Sequence, residues 1–200
     1  MTNFAYLALG DSYTIGEQIP LAENFPNQTV QQLREAGFAF YAAEIIAKTG
    51  WTTDELANAI ESTTFLKKYD IVSLLIGVNN QYRGRSAEQF KIEFEQLLQK
   101  AIHFADNKPS HVIVLSIPDW GVTPFAEGRD KKNIADEIDA YNLVCEKSAA
   151  AFKTHFINIT DSQREDGNTT EFLAADGLHP SGKEYKKWAD KLTDAILKEL

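Results

Sequence analysis

Two hydrophobic patterns alternate along the chain. Short runs of β-branched and aromatic residues, which are typical of strands, occur at Phe4–Leu9, Ala39–Ala47, Ile71–Ile76, His111–Ile117 and His155–Ile159. The third and fourth runs, IVSLLI and HVIVLSI, are apolar on both faces. Strands of a parallel sheet that is covered by helices on both sides have this composition.

Longer segments with helical periodicity separate these strand candidates. Thr52 with Glu55, and Ser181 with Glu184, have the spacing of capping boxes, which predicts that helices start at Thr52 and Ser181. The alternation of strands and helices predicts an α/β protein with three layers, in which helices cover both faces of a mainly parallel, five-stranded sheet. The chain has no internal repeat and no flexible linker, so we expect residues 1–200 to form a single domain.

Glycines and small polar residues follow the predicted strands rather than precede them. In doubly wound folds, ligands bind outside the carboxyl ends of the strands, so these segments are expected to share one edge of the sheet. They are Gly10-Asp11-Ser12, Thr49-Gly50-Trp51, Gly77-Val78-Asn79-Asn80, Pro118-Asp119-Trp120-Gly121 and, beyond the fifth strand, Asp176-Gly177-Leu178-His179.

Composition and charge narrow the class of partner. The chain is 44% hydrophobic and 24% charged, which is ordinary for a globular protein, and its formal net charge is −9. A surface of that sign repels phosphate backbones and anionic lipids, so we expect neither nucleic acid nor a membrane as partner. Cys145 is the only cysteine, and the N-terminal residues lack the pattern of a leader peptide. We therefore expect a cytoplasmic protein, unless a leader was removed; the oligomeric state is not readable.

His179 is the strongest candidate for a general base. It is the only one of the four histidines that lies in a predicted loop, and Asp176 stands three residues before it. A carboxylate at that spacing can hold the imidazole in the tautomer that leaves Nε2 free for a substrate. The alternative is that Asp176 and His179 only cap the helix predicted near Ser181, and these residues alone do not separate the two readings.

Ser12 is the candidate nucleophile. It follows a hydrophobic strand that ends in glycine, so its side chain is expected to project from the sheet edge, although an isolated Gly-Asp-Ser more often only starts a helix. The segment is neither the Gly-x-Ser-x-Gly elbow of α/β-hydrolases nor a phosphate-binding loop. Donors for an oxyanion are the N–H groups of Ser12 and Gly50 and the amide of Asn79, although a Gly or Asn after a strand is usually a turn former.

Together these segments resemble the SGNH hydrolases, also called GDSL-like lipases and esterases. The four blocks of that family appear in order at residues 7–16 (LALGDSYTIG), 47–53 (AKTGWTT), 74–80 (LLIGVNN) and 176–182 (DGLHPSG). The resemblance implies a flavodoxin-like fold and an activity that requires no metal or cofactor. It also implies that Ser12 is the nucleophile, that His179 is the base oriented by Asp176, and that Ser12, Gly50 and Asn79 form the oxyanion hole.

One residue departs from the family pattern: Asn80 stands where the family usually has Asp. The change is expected to affect local hydrogen bonding and charge without preventing hydrolysis.

Mixed aromatic and polar residues near the predicted site suggest the substrate. Tyr13, Trp120 and Arg83 are candidates for binding it, and they suit a short acyl group on a polar or carbohydrate alcohol. Arg83 is open to two readings, because it can bind an anionic group or simply face water. The alternative function is that of a non-catalytic doubly wound domain that binds a carbohydrate or other small ligand.

Overall fold

The centre of the fold is a sheet of five parallel strands in the order β2-β1-β3-β4-β5. A computed structural model describes residues 3–200. Met1 and Thr2 lie outside the described residues; they belong to the N-terminal segment that was expected to lack a leader pattern. The strands are β1 (Tyr6–Asp11), β2 (Glu44–Lys48), β3 (Ile71–Leu75), β4 (Val112–Leu115) and β5 (His155–Ile157). This is the flavodoxin-like strand order, and it confirms the predicted fold class.

Helices cover both faces of the sheet. They are α1 (Ser12–Ile15), α2 (Phe25–Glu35), α3 (Thr53–Ser62), α4 (Val78–Tyr82), α5 (Ala87–Phe104), α6 (Lys131–Phe152), α7 (Thr160–Asp166) and α8 (Gly182–Ile196). The helices α2 and α8 pack together over one face, whereas α5 packs between α3 and α6 over the other, as right-handed crossovers require. Among the helices formed by residues 3–200, none combines the length and hydropathy that spanning a bilayer needs.

The three central strands form the core of the protein. Every residue of β1, β3 and β4 is buried, whereas the edge strands β2 and β5 are only half-buried. The two runs that are apolar on both faces, β3 and β4, are thus covered on both sides as predicted. Cys145 is buried in α6, where burial raises the pKa of its thiol well above the usual range. The single thiol is therefore a core side chain.

The strand β1 starts and ends two residues later than predicted, and β4 ends two residues earlier. Two other strand boundaries differ for identifiable reasons. The segment from Ala39 does not join the sheet until Glu44; before that, Phe40 forms only an isolated bridge with Phe4. The side chain of Arg34 donates twice to the Phe40 carbonyl, at 2.9 and 2.8 Å, and so competes with a regular ladder. The strand β5 ends at Ile157, because the N–H of Ile159 donates to the Ser116 hydroxyl at 2.8 Å instead of extending the sheet.

One of the two predicted capping boxes is wrong. Thr52 and Glu55 form theirs, with the Glu55 carboxylate accepting the Thr52 N–H at 2.9 Å. Ser181 does precede α8, but its hydroxyl donates to the Glu171 carbonyl, and Glu184 turns into the core to accept the Trp188 indole N–H at 3.0 Å. Trp188 is fully buried and its indole N–H needs an acceptor, so the Glu184 carboxylate lies in the core instead of capping the helix.

Candidate active site

The carboxyl ends of the strands meet at one cleft, as the sequence predicts. The cleft has a volume of about 200 Å³ and lies at the ends of β1, β2, β3 and β4. Ser12, Gly50, Asn79 and His179 all line it, although they come from four separate segments of the chain. The parallel sheet explains this convergence, because all its strands end at the same edge.

Ser12 lies directly beyond β1 and is the first residue of α1. The Asp11 carboxylate caps this short helix by accepting the N–H of Tyr13 at 3.0 Å, so the turn that carries Ser12 is held on its N-terminal side. The Ser12 hydroxyl lies 2.9 Å from Nε2 of His179. Ser12 therefore both starts a helix and faces an imidazole, so the two readings of the sequence are compatible.

His179 is held by Asp176 through both its ring and its backbone. The distance from Nδ1 to Oδ2 of Asp176 is 2.6 Å, and Oδ1 accepts the N–H groups of Leu178 and His179 at 3.0 Å each. Because a carboxylate only accepts, Nδ1 carries the ring proton and Nε2 is free to accept from Ser12. Asp176 and His179 do not cap α8, since Ser181 occupies that position.

Hydrogen bonds determine the charge of Asp176. Its partial burial acts to raise the pKa of the carboxyl group, but the bonds from the His179 ring and from the two backbone N–H groups outweigh that effect and lower the pKa below its usual value. The group is therefore ionised at neutral pH. An anion at this position stabilises a positive charge on the imidazole ring.

Gly50 and Asn79 border the cleft on the side of β2 and β3. Gly50 has φ +84°, a left-handed conformation that glycine adopts without strain. Asn79 lies in the first turn of α4, which Gly77 precedes. Gly77 has φ +133°, and a Cβ at this residue would come within 2.6 Å of the Ile117 side chain, so the turn requires glycine. The Asn79 amide donates to the Trp51 carbonyl at 3.0 Å, which fixes its NH₂ end.

Two of the three predicted substrate-binding residues line the cleft. Tyr13 is buried with its ring centroid 5.1 Å from that of His179, and Trp120 is buried with its indole N–H donating to Gln81 at 2.8 Å. Arg83 lies outside the lining: its guanidinium donates to the Gly50 carbonyl at 2.7 Å and pairs with Glu55 at 3.2 Å. This position gives Arg83 a role in holding the Gly50 turn.

Phe125 is a wall of the cleft that the sequence analysis missed. Its ring packs edge-on against Trp120 at 6.0 Å, and its backbone N–H donates to the Gly177 carbonyl at 3.1 Å, next to the His179 segment. The only sequence signal was an aromatic residue in the loop after β4, and such residues are common. Val78, Tyr82 and Leu178 complete the apolar side of the cleft.

Asn80, the departure from the family pattern, is buried behind the cleft. Its side chain accepts the Thr53 N–H at 3.1 Å and donates to the Thr53 hydroxyl at 2.6 Å, so it ties α4 to the start of α3. The Glu93 carboxylate of α5 lies 3.4 Å from the Asn80 amide nitrogen and also accepts from the Thr53 hydroxyl. The carboxylate that the family pattern usually has at residue 80 is thus replaced by a neighbouring one, which Glu93 of α5 supplies.

Asp11 places a buried carboxyl group beside the candidate oxyanion donors. It is 1% exposed, and its Oδ2 lies 3.5 Å from the amide nitrogen of Asn79. Burial raises the pKa of Asp11 to about 7, against the lowering effect of the hydrogen bond from Tyr13. Near neutral pH this group therefore titrates next to the cleft.

Comparisons with known proteins agree with this geometry. The profile of the GDSL-like lipase/acylhydrolase family matches residues 8–187, which include the first block from Ala8 onward and the other three blocks in full. No curated protein matches the chain significantly in sequence.

Solved structures share the fold at low sequence identity. TesA has a TM-score of 0.76 and 18% identity, with all of both chains covered. A lipase/acylhydrolase from Enterococcus faecalis has a TM-score of 0.76 and 21% identity, covering 100% of this chain and 97% of that one. The acetylxylan esterase Axe2 from Geobacillus stearothermophilus has a TM-score of 0.76 and 18% identity, covering 96% and 94%. The chain belongs to the GDSL-like lipase/acylhydrolase family, and it is a serine esterase.

Proposed function

We propose that the protein hydrolyses a short-chain carboxylic ester of a polar or carbohydrate alcohol through an acyl-enzyme on Ser12. The observation that carries the proposal is the continuous chain of hydrogen bonds from the Ser12 hydroxyl through His179 to Asp176. A hydroxyl, an imidazole of defined tautomer and an ionised carboxylate in this order are what activation of a serine requires.

In the first half of the reaction, Oγ of Ser12 attacks the ester carbonyl carbon while its proton moves to Nε2 of His179. The carbonyl π electrons move to oxygen, and the tetrahedral oxyanion accepts hydrogen bonds from the N–H groups of Ser12 and Gly50 and from the Asn79 amide. The imidazolium, stabilised by Asp176, then protonates the departing alkoxy oxygen. The carbon–oxygen bond to the alcohol breaks, and the acyl group stays on Ser12.

In the second half, water takes the place of the alcohol. His179 accepts a proton from that water as its oxygen attacks the acyl carbon, and the same three donors hold the second oxyanion. When the intermediate collapses, the proton on Nε2 returns to Oγ of Ser12. The carboxylic acid leaves, and the enzyme is restored.

The size and lining of the cleft support a short acyl group. A volume of about 200 Å³ is below the range of most small-molecule sites, and the walls formed by Val78, Trp120, Phe125 and Leu178 are apolar. The acetylxylan esterase among the structural neighbours acts, by its name, on an acetylated carbohydrate, so this fold accommodates such a substrate.

The remaining features are consistent with a small-molecule enzyme in a reducing compartment. We propose the cytoplasm as its location, because the single cysteine is a buried core residue. The net charge of −9 argues against nucleic acid as a partner. We further propose that residues 1–200 act as one domain with one active site.

The experiment that tests the proposal compares wild type with Ser12→Ala on p-nitrophenyl acetate, butyrate and octanoate, with folding checked by circular dichroism. We expect turnover that requires Ser12 and falls from the short to the long acyl chain. Labelling of Ser12 by a fluorophosphonate without turnover would mean that the substrates are wrong. Absence of both labelling and turnover would favour the alternative, a non-catalytic domain that binds a carbohydrate or other small ligand.

A further inference from the structure

A second depression, here called the polar groove, adjoins the catalytic cleft. It has a volume of about 270 Å³ and is lined by polar residues of α4, of α6 and of the loop before α6. Tyr82 and Trp120 line both the cleft and the polar groove, so the two adjoin at this aromatic pair. A substituent that leaves the cleft past Tyr82 and Trp120 enters the polar groove.

Hydrogen bonds hold the floor of the polar groove in place. The Trp120 indole N–H donates to the Gln81 side chain at 2.8 Å, and the Gln81 amide donates to the Glu137 carboxylate at 2.6 Å. The other oxygen of Glu137 accepts from the Asn133 amide at 2.9 Å. Gln81 is buried, so this row of planar polar groups is ordered before any ligand arrives, which lowers the entropic cost of binding.

The charges of the polar groove disfavour an anionic ligand. Asp130 and Glu137 contribute two negative charges and Arg129 one positive charge, so a carboxylate or phosphate would meet a net negative site. Asp130 already accepts the backbone N–H of Asn133 at 3.0 Å, as the cap of α6. Within residues 3–200, Arg129 is the partner of no ion pair, so its donors are available to hydroxyl oxygens.

Tyr82 adds an aromatic surface at the boundary. Its side chain is 49% exposed, and its ring packs edge-on against Trp120 with centroids 5.4 Å apart. An aromatic ring anchored on one side and open on the other offers a face to the apolar side of a sugar ring. Aromatic surface, carboxylate acceptors and guanidinium donors together match a hydroxyl-rich molecule.

We propose that the polar groove binds the hydroxyl groups of an uncharged, carbohydrate-like alcohol whose ester carbonyl lies at Ser12. The inference rests on the proposed function and adds the place where the alcohol binds and the residues that recognise it. In this arrangement Arg129 donates to the alcohol, Glu137 accepts from it, and Tyr82 packs against its ring. The acyl group stays in the cleft, where Tyr82 and Trp120 are the only residues of the polar groove, among those that the structure describes, that also line its site.

The test compares two substrates and three variants. Arg129→Ala and Tyr82→Ala remove contacts proposed for the alcohol. Lys132→Ala is a matched control, because Lys132 is an exposed residue of the same helix start whose ion pair, within residues 3–200, is with Asp136. We expect each of the first two variants to raise the KM for an acetylated disaccharide about tenfold, the size of one lost charged hydrogen bond or ring contact. For Arg129→Ala, turnover of p-nitrophenyl acetate should stay within about twofold. Tyr82 also lines the catalytic cleft, so for Tyr82→Ala we expect a larger loss on the disaccharide ester than on p-nitrophenyl acetate. Lys132→Ala should change neither.

Three results would overturn the inference: unchanged KM for the disaccharide ester, equal losses on both esters, or a preference of wild type for esters of a uronic acid over those of the neutral sugar. If no ester is hydrolysed and a fluorophosphonate does not label Ser12, the proposed function fails while the polar groove stays testable. The full chain carrying Ser12→Ala would then be titrated with xylobiose and cellobiose, with amide NMR shifts as the readout. Saturable shifts at Gly84 and Asn133 would support the polar groove, and their absence would refute it.

Discussion

Replacement of Asp11 by asparagine is expected to stabilise the protein increasingly as the pH rises. Asp11 is 1% exposed, forms no ion pair within residues 3–200, and has its pKa raised by burial from 3.8 to about 7. Asparagine is an equally good cap for α1 and has nearly the same shape, but it does not ionise. The variant therefore isolates the cost of the buried charge.

The size and sign of the effect follow from proton linkage. Between the two pKa values, the folded protein holds a proton on Asp11 that the unfolded chain has lost, so the free energy of unfolding of wild type falls as the pH rises. From about pH 5 to the folded pKa of about 7 the interval is about two units, each worth about 1.4 kcal/mol. The stability of Asp11→Asn relative to wild type should thus increase by about 3 kcal/mol between about pH 5 and about pH 8.

Urea unfolding followed by circular dichroism at the two pH values measures this difference. Asp54→Asn is the matched control: the hydrogen bond from Arg85 lowers the pKa of Asp54 to about 2, so Asp54 is ionised in both states over the whole range. Its effect on the free energy of unfolding should be the same at both pH values. A pH-independent difference for Asp11→Asn as well would show that Asp11 is ionised in the fold and would refute the reasoning.

Three further outcomes are expected. Asn79→Ala should lower kcat roughly 10²–10³-fold with little change in KM, because it removes one donor to the oxyanion; wild-type turnover in a folded variant would refute that role. Asp176→Asn should lower kcat by about 10⁴, by analogy with other serine triads, because the ring of His179 would lose its defined tautomer; steady-state kinetics with a retained Tm would check this. Asn80→Asp should lower the free energy of unfolding by roughly 1–3 kcal/mol, because it puts a second carboxylate beside Glu93 and removes a buried donor. Glu93→Gln in the same chain should recover part of that loss, and additive effects in the double-mutant cycle would contradict the coupling.

The sequence predicted the layers of the fold because the relevant signals are local. A strand such as IVSLLI, apolar on both faces, must be covered by other elements on both sides. That requirement predicted a parallel sheet with helices on each face. The same reasoning placed Ser12 and His179 at one edge, since parallel strands all end there. The helix start at Thr52 was also readable, because its partner is only three residues away.

Packing between distant segments overrode local signals elsewhere. Glu184 has the spacing of a helix cap, yet it turns inward, where it accepts from the Ser162 hydroxyl of α7 and from the buried Trp188 indole one turn further along α8. For Arg83 the sequence left two alternatives, substrate binding or exposure to water; in the structure the side chain is exposed, and its guanidinium also donates to the carbonyl of Gly50. Spacing does not indicate the contact of Glu184 with Ser162 or that of Arg83 with Gly50, because each depends on which segments come together.

The sequence alone therefore determined which chemical groups the protein carries and at which edge of the sheet they collect. Only the tertiary structure decided how they face one another: the 2.9 Å contact between Ser12 and His179 joins residues 167 positions apart, and the burial of Asp11 depends on the segments packed around it. The row that links Trp120 through Gln81 to Glu137 likewise joins three segments. The physical reason is that periodicity and capping act within a few residues, whereas burial, pKa shifts and the shape of a cleft are properties of packed surfaces.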